Sequence, residues 1–349
     1  MTYEAKVRKC GRVVRPQLLS GFLAFLMCAG PTAVLAQAHS GKPINVYIGY
    51  DPGGGYDFYG RLFARHIGKQ LPGNPQVTAL NMPGAAGLSA ANYLYEIAPK
   101  DGTALGIVAQ TLALAEALKT PGVRFKAANF NWIGRVTSNV EVTLMWHTSK
   151  VQSIDDAKAV QVPVSGTSPG SAAYDYPAVL NGLVGTKFKI IGGYQSAAPM
   201  MLAMERGETD GSFTSWNTIK TSKQMWLKEN KIKIIVQYTA DRHPDLPGVP
   251  TMVELGRNDR EKQILRLFAS GAIVGRSILA PPGVPAANVK QLREAFTRML
   301  KDEAFLAEIQ KTGAEFDPLS GELLQNLMET IVNVPDDVME AAQIARGVK

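Results

Sequence analysis

Between Ile44 and Ile67 the chain reads as a short apolar strand, three consecutive glycines and an amphipathic helix, and this block limits the fold more than any other. Ile44-Asn45-Val46-Tyr47-Ile48 has the length and β-branched content of a buried strand. Asp51-Pro52-Gly53-Gly54-Gly55 then leaves the backbone bare and free to adopt positive φ. Asp57 is placed to act as an N-cap, and Phe58/Tyr59, Leu62/Phe63 and Ile67 recur at helical spacing. Such a turn points backbone N–H groups and the positive end of the helix dipole at whatever lies above it, which makes a site for an anion. No Gly-Lys-Ser/Thr follows, so this is not a Walker A loop. Phe58 stands where the dinucleotide fingerprint needs glycine or alanine. A carboxylate is therefore the expected anion.

The unit recurs along the chain. Gln76 to Leu80 reads as a second strand, followed by the turn Asn81-Met82-Pro83-Gly84-Ala85-Ala86-Gly87 and a helix through Tyr93 and Ile97. Thr103 to Ala109 is a third strand, so the first part reads as a parallel sheet. Trp132 to Val136 and Val140 to Trp146 are two further strands, the second leading into another domain. Val162 to Ser165 runs into Gly166-Thr167-Ser168-Pro169-Gly170-Ser171 and a helix through Tyr176 and Leu180. Phe188 to Ile191 runs into Gly192-Gly193-Tyr194-Gln195-Ser196 and a helix over Met200, Met201 and Met204. After Phe213 and Trp216, Ile232 to Tyr238 and Ala272 to Leu279 read as the last strands. The C-terminus reads as helical, with apolar faces Val289/Leu292/Phe296/Met299 and Leu323/Leu327/Ile331. In open α/β sheets such turns gather at the C-terminal ends of strands. Two facing sheets would bring the turns that begin at Asp51, Pro83, Gly166 and Gly192 around one hinged cleft.

The N-terminus reads differently. Lys6, Arg8, Lys9, Arg12 and Arg15 precede an apolar run, Leu18 to Ala29, and Ala36-Gln37-Ala38 has the small-x-small pattern of a cleavage site. Residues 1–38 are expected to be a secretory signal peptide rather than a membrane anchor, because the run is short for a span. Both cysteines, Cys10 and Cys28, fall inside it, which excludes disulfides and thiol chemistry from the mature chain. The segment carries five Lys/Arg against one Glu, a surplus of four, leaving about +3 of the chain's +7. That charge gives no support to nucleic-acid binding.

In order along the chain, Pro52-Gly53-Gly54-Gly55-Tyr56-Asp57, Asn81 to Gly87, Pro99-Lys100-Asp101-Gly102, Gly193-Tyr194 with Gly207-Glu208-Thr209-Asp210-Gly211, Leu246-Pro247-Gly248-Val249-Pro250-Thr251 and Leu279-Ala280-Pro281-Pro282-Gly283-Val284-Pro285 form an ordered set. It resembles the extracytoplasmic substrate-binding receptors of tripartite tricarboxylate transporters, the Bug family, over nearly the whole mature chain. The resemblance implies an α/β fold of the periplasmic-binding-protein type II kind, with two hinged domains and an interdomain ligand cleft. On that basis residues 39–143 plus 249–349 form the first domain and 144–248 the second. It also implies a periplasmic monomer without cofactor, a small organic carboxylate as ligand, and the transporter's membrane permease subunits as partners. Pro52, Gly53, Gly54, Gly55, Tyr56 and Asp57 would clamp the ligand from the first domain, with Gly84 and Ala85 beside them. Ser168, Tyr194, Gln195, Ser196 and Asp210 would face them. Trp216 and Tyr194 could equally be packing residues. The chain departs from the family pattern at Asp51 (commonly proline), Tyr56 (a small residue) and Gln195 (lysine or a small polar residue). Asp51 beside the anion loop would repel a second ligand carboxylate or bind an ammonium.

One enzymatic alternative comes from Gly166-Thr167-Ser168-Pro169-Gly170, which fits the nucleophile elbow of serine hydrolases, with Asp210 and His243 following in the right order. Against it, the elbow needs an N–H on the residue after the serine, and Pro169 has none. His39, His66, His147 and His243 have no metal-ligand spacing, so no metal site is expected. Asp101, Asp155 and Asp156 read as turn and cap residues, Met200, Met201 and Met204 as core, and Arg61 and Arg65 as solvated helix residues.

Overall fold

The computed structural model describes residues 42–347, so the expected signal segment and both cysteines lie outside it. Strands β1 (Ile44–Ile48), β2 (Val77–Asn81), β3 (Ala104–Ile107), β4 (Asn131–Thr137), β10 (Arg276–Ala280) and β11 (Leu319–Ser320) form one sheet in the order β11-β4-β10-β3-β1-β2. Strands β5 (Glu141–Trp146), β6 (Val162–Ser165), β7 (Phe188–Ile191), β8 (Gly211–Ser215) and β9 (Ile232–Gln237) form a second, ordered β7-β6-β8-β5-β9. The chain passes between the sheets at residues 138–140 and returns over 238–275. All of β5 belongs to the second sheet, so a boundary at 143/144 falls within a strand.

The sheets are mixed rather than parallel. β1 pairs parallel with β2 and β3, and β6 with β7 and β8, as the glycine-turn units require. β10 lies antiparallel between β3 and β4, and β5 antiparallel between β8 and β9. The reason is topological. β4 and β9 end at the crossings, whereas β5 and β10 begin at them, so each pair runs in opposite directions.

Helices cover both faces of each sheet. In the first lobe, helices Gly55–Ile67 and Ala286–Met299 pack on one face through Phe63, Phe296, Ile48 and Ile278, all buried. Their closeness shows at Gly60, where a Cβ would lie 2.9 Å from the Ile48 side chain. In the second lobe the alternation of β5 sends Val142 and Leu144 to one core and Met145 to another.

Among the elements that differ from the sequence reading, three are instructive. Helix Asp259–Val274 runs through residues expected to begin the last strand; Asn258 caps it by accepting the Glu261 N–H at 2.9 Å. A short apolar run does not distinguish a buried helix end from a buried strand. β8 was not expected because Ser212 and Thr214 make it polar, yet all five of its residues are buried. In helix Gly321–Val332 the buried stripe is Leu324, Met328 and Ile331, while Leu323 is exposed.

The last helix, Asp336–Ala345, packs on helix Ala172–Val184 of the second lobe. A Cβ at Gly182 would meet the Ala345 carbonyl at 2.3 Å. Arg346 Nη1 pairs with the buried Asp175 carboxylate at 3.1 Å, and that carboxylate also accepts the Gly170 N–H at 3.0 Å. Burial pushes the Asp175 carboxyl up, with Arg346 opposing it. Arg346→Met leaves that carboxyl buried without its cation and is expected to cost about 3–5 kcal/mol in urea unfolding. Adding Asp175→Asn should recover part of the loss, since the stranded charge is then gone.

Candidate functional site

The ends of β1, β3, β6, β7 and β8 meet in a cavity of about 140 Å³ between the two lobes. Tyr50 to Tyr56 enter it from β1, Gln110 and Thr111 from β3, and Thr167 and Ser171 from β6. Gln195, Ser196 and Ala197 follow β7, and Thr214 and Ser215 end β8. Every one of these is a strand-to-helix connection, which is why strand order decides the wall of the cleft.

Three helices begin at this cavity with open N–H groups and no side-chain cap: Gly55–Ile67 after Gly54, Ala172–Val184 after Ser171, and Ala197–Glu205 after Ser196. Leu112–Ala117 after Thr111 is also uncapped, but its first N–H is bonded to the Ala109 carbonyl at 3.1 Å, and Ser215 caps Trp216–Ser222. Elsewhere Ser153, Asn258, Asp302 and Ser320 cap their helices through side chains, while Leu88–Glu96, Ala286–Met299 and Asp336–Ala345 also lack such a cap. The N–H groups of Gly54, Gly55, Ala172, Ala173 and Ala197 have no partner among the described residues. Uncapped donors and three positive dipole ends converging on one space suit an anion. A hydrogen bond to a charged group contributes about 1.5–3 kcal/mol, and each helix end about 0.3–1 kcal/mol.

The first loop differs from its expected geometry. Gly54, not Asp57, is the N-cap, and the chain reaches it through Gly53 at φ +88°. Asp57 sits in the first turn and reaches back, accepting the Gly53 N–H at 3.0 Å. Its other oxygen accepts from Arg61 Nε at 2.8 Å and Asn81 Nδ2 at 2.9 Å. This resembles the reciprocal half of a capping box but reaches one residue further back, to the residue before the N-cap. It engages the Gly53 N–H and removes it from the donors open to a ligand.

The floor of the cavity carries groups that the sequence reading did not single out. The Arg276 guanidinium lies 3.9 Å above the Tyr56 ring, and Tyr56 stacks on Tyr50 at 4.3 Å. Arg276 Nη2 donates to Asn139 Oδ1 at 2.8 Å. Asn139 Nδ2 donates to Gln110 Oε1 and Glu141 Oε1, and the Tyr56 hydroxyl accepts the Gln110 N–H at 2.8 Å. Burial pushes the Glu141 carboxyl up, opposed by Arg276 and Asn139. Burial also raises Tyr50 and Tyr56, so both are neutral phenols. Arg276 and Glu141 each interrupt an apolar run, and that interruption was the available signal.

The sequence-predicted residues separate into groups. Gly54, Gly55, Tyr56, Gln195 and Ser196 line the cavity. Pro52 and Gly53 line an adjoining recess with Ser196 and Ala197. Gly84, Ala85, Ser168 and Tyr194 line a recess on the opposite flank, which shares Tyr50, Asp51 and Gln195 with the main cavity. Three residues line none of these spaces. Asp57 is engaged under the loop, and Asp210 accepts from Ser149 at 3.4 Å. Trp216 is buried in the second-lobe core, its Nε1 donating to Asp245 at 2.9 Å. Following a strand is not enough to reach the cleft; the strand end must also face it.

The hydrolase arrangement is not assembled. The Ser168 carbonyl accepts from Ser171, Asp210 is bonded to Ser149, and His243 Nδ1 accepts the Asp245 N–H at 3.1 Å. Among the described residues no three His, Cys, Asp or Glu side chains are grouped to hold a metal ion.

Two α/β lobes around a cleft walled by strand ends define a two-lobed solute-binding protein. Residues 60–341 match the tripartite tricarboxylate transporter family receptor TctC, so the chain belongs to that family. Its members are periplasmic substrate-binding receptors, not enzymes, and work with a tripartite transporter. BugT of Bordetella pertussis is 24% identical over 249 residues, covering 69% of this chain and 74% of that protein. The periplasmic binding protein BugD superposes with a TM-score of 0.67 at 21% identity, over 88% of this chain and 98% of BugD. MatC of Rhodopseudomonas palustris, solved with bound malate, superposes with a TM-score of 0.65 at 20% identity, over 86% of this chain and 99% of MatC.

Asp57 supplies a test of the first loop. Burial alone would raise its carboxyl, but Arg61, the Gly53 N–H and Asn81 together hold it below the usual range. A carboxylate depressed on folding adds stability above its unfolded pKa of about 3.9, and that stability is lost as pH falls through the lower folded value. Asp57→Asn is expected to cost about 1–2 kcal/mol at pH 7 in urea unfolding. The gap to the unmodified protein should close below about pH 4.

Proposed function

We propose that this receptor holds a small organic acid by its carboxylate among the uncapped N-termini of helices Gly55–Ile67, Ala172–Val184 and Ala197–Glu205. The observation that carries the reading is the convergence of these three ends, with unpartnered N–H groups, on one interlobe cavity. MatC's bound malate is consistent with a carboxylate in this fold. The lobes close by hinge motion about residues 138–140 and 238–275, where the chain crosses between sheets. Gly84, Ala85, Ser168 and Tyr194 border the ligand space and join its wall on closure. The protein is exported through cleavage of its first 38 residues, acts as a monomer, and delivers the acid to the membrane permease subunits of a tripartite tricarboxylate-type transporter.

A thermal-shift screen of the purified protein against organic acids and their methyl esters tests the reading. An acid at a hundredfold its Kd adds about 2.7 kcal/mol of stability, and its ester should add far less. Ala197→Pro isolates one donor. Ala197 is the first residue of its helix, after an extended Ser196, so proline fits there and removes only the N–H. The variant should keep its melting temperature without ligand and bind the acid roughly ten- to a hundredfold more weakly. Unchanged affinity would argue against this helix end as an anion site.

A further inference from the structure

The helix ends supply backbone donors, and the same cavity holds a charged one. Among the described residues that line it, Arg276 is the sole cation, against the acids Asp51 and Glu141. Three arginines are buried among the described residues: Arg135, Arg276 and Arg346. Arg135 pairs with Asp317 at 2.8 Å and Arg346 with Asp175 at 3.1 Å. Arg276 alone has no carboxylate of the described residues within 4.0 Å; Glu141 is near enough to feel its charge but bonds Asn139 instead. Arg276 opens β10 in the first lobe, where the return crossing ends, so it belongs to the same lobe as the Gly54–Gly55 turn.

The contacts of the guanidinium show which edge is left. Nη2 donates to Asn139 Oδ1 at 2.8 Å, and Nη1 points to Gln110 Oε1 at 3.5 Å. Asn139 Nδ2 itself donates to Gln110 Oε1, so the two amides stand side by side at the Nη1–Nη2 end. One face is covered by the Tyr56 ring at 3.9 Å. The Nε–Nη2 edge has no such cover and lies against the start of helix Gly55–Ile67: a Cβ at Gly55 would meet Nη2 at 3.1 Å and Nε at 3.5 Å. Nε has no partner among the described residues, and no Arg276 atom is both fully buried and unpartnered, as Arg346 Nε is. Nε is thus open to the cavity. Gln110 Nε2 and Thr214 Oγ1 are fully buried and lie out of a ligand's reach.

We infer that Arg276 is a ligand-binding residue whose Nε–Nη2 edge grips the carboxylate of the bound acid together with the open N–H groups of Gly54 and Gly55. This rests on the carboxylate reading above and names the side chain that sets its charge preference. A guanidinium edge presents two parallel N–H donors at the spacing of carboxylate oxygens, and such charge-assisted pairs are stronger than neutral hydrogen bonds. The positive end of the helix favours the same ion at the same place. Screening is weak there, because the Tyr50–Tyr56 stack and the loop backbone displace water around the cation. Gly54, Gly55 and Arg276 all belong to the first lobe, so the carboxylate is held by one rigid body before the second-lobe helix ends close over it. Gly55 keeps the edge uncovered, since any side chain there would press on Nη2.

The test is calorimetric titration of the purified protein with acids and their methyl esters as probes: acetate, benzoate, malate and adipate, each against its fully methylated ester. The unmodified protein should bind at least one acid roughly a hundredfold tighter than its ester. Arg276→Met alone would leave the Glu141 carboxyl buried without its cation, so it is made in Glu141→Gln, with Glu141→Gln as the reference. In that background Arg276→Met should cut the ratio of acid to ester affinity roughly ten- to a hundredfold while the ester binds as before. An arginine that only ties the hinge together would weaken acid and ester alike, and an unchanged ratio overturns the inference. A second measurement leaves the site unaltered. In proton–nitrogen correlation spectra of the isotope-labelled unmodified protein, the Arg276 Nε–H resonance, assigned by its loss in Arg276→Lys, should move downfield with the acid and not with the ester. A resonance unmoved at saturating acid overturns the inference even where the variants fail to fold. Acid and ester that bind the unmodified protein equally overturn the carboxylate reading instead. Absence of binding by every probe counts against both.

Discussion

The buried guanidinium of Arg276 is the constraint around which the cleft is assembled. Taking an unpaired cation out of water costs several kcal/mol, so its surroundings must compensate it from every side. They do so with the Tyr56 face at 3.9 Å, Asn139 at 2.8 Å and the nearby charge of Glu141. Each comes from a different segment: the first loop, the crossing and the start of β5. Gly55 completes the arrangement, since a Cβ there would lie 3.1 Å from Nη2. The glycines of the first loop therefore serve two demands. They keep the helix end open toward the cleft, and they let a buried arginine lie directly beneath it.

Above that floor the site is mostly backbone. Helix ends from both lobes point their unpaired N–H groups into the same space, because the glycine turns all follow strand ends that face the gap. The second loop adds conformational strain. Ala85 and Ala86 hold φ of +47° and +55° in succession, a conformation alanine rarely adopts, and the Tyr50 hydroxyl bonds the Ala86 carbonyl at 3.1 Å. The loop is thereby tied to the same aromatic stack that carries Arg276. The last helix reaches across to the second lobe, and the Arg346–Asp175–Gly170 chain braces the loop containing Ser168. Floor, first-lobe loops and second-lobe loops are linked by these polar contacts in addition to a buried apolar cluster that runs from one lobe into the other.

Much of this was legible in the chain. Strand, small-residue turn and helix alternate with enough regularity to mark the first-lobe strands, the crossing near residue 140 and the units after β6 and β7. What the pattern could not convey was direction and facing. β10 is antiparallel because it re-enters its sheet at the hinge, a fact of the connection and not of its own residues. Trp216 follows a strand as Ser196 does, yet it packs into the core against Met204 and Ile219. Asp57 sits at a cap-like spacing, but the helix starts two residues earlier and its carboxylate is spent on Gly53.

Local sequence determined the repeating units and the bareness of the loops, because strand length, helical periodicity and glycine are properties of neighbouring residues. It also carried enough ordered motifs to indicate the family. Tertiary structure alone decided the floor of the cleft. Tyr50, Gln110, Asn139, Glu141 and Arg276 are spread across more than two hundred residues and have no mutual spacing to read. They meet only because two chain crossings converge at the hinge. A charged residue within a buried strand signals that a partner exists; only the packed fold supplies it.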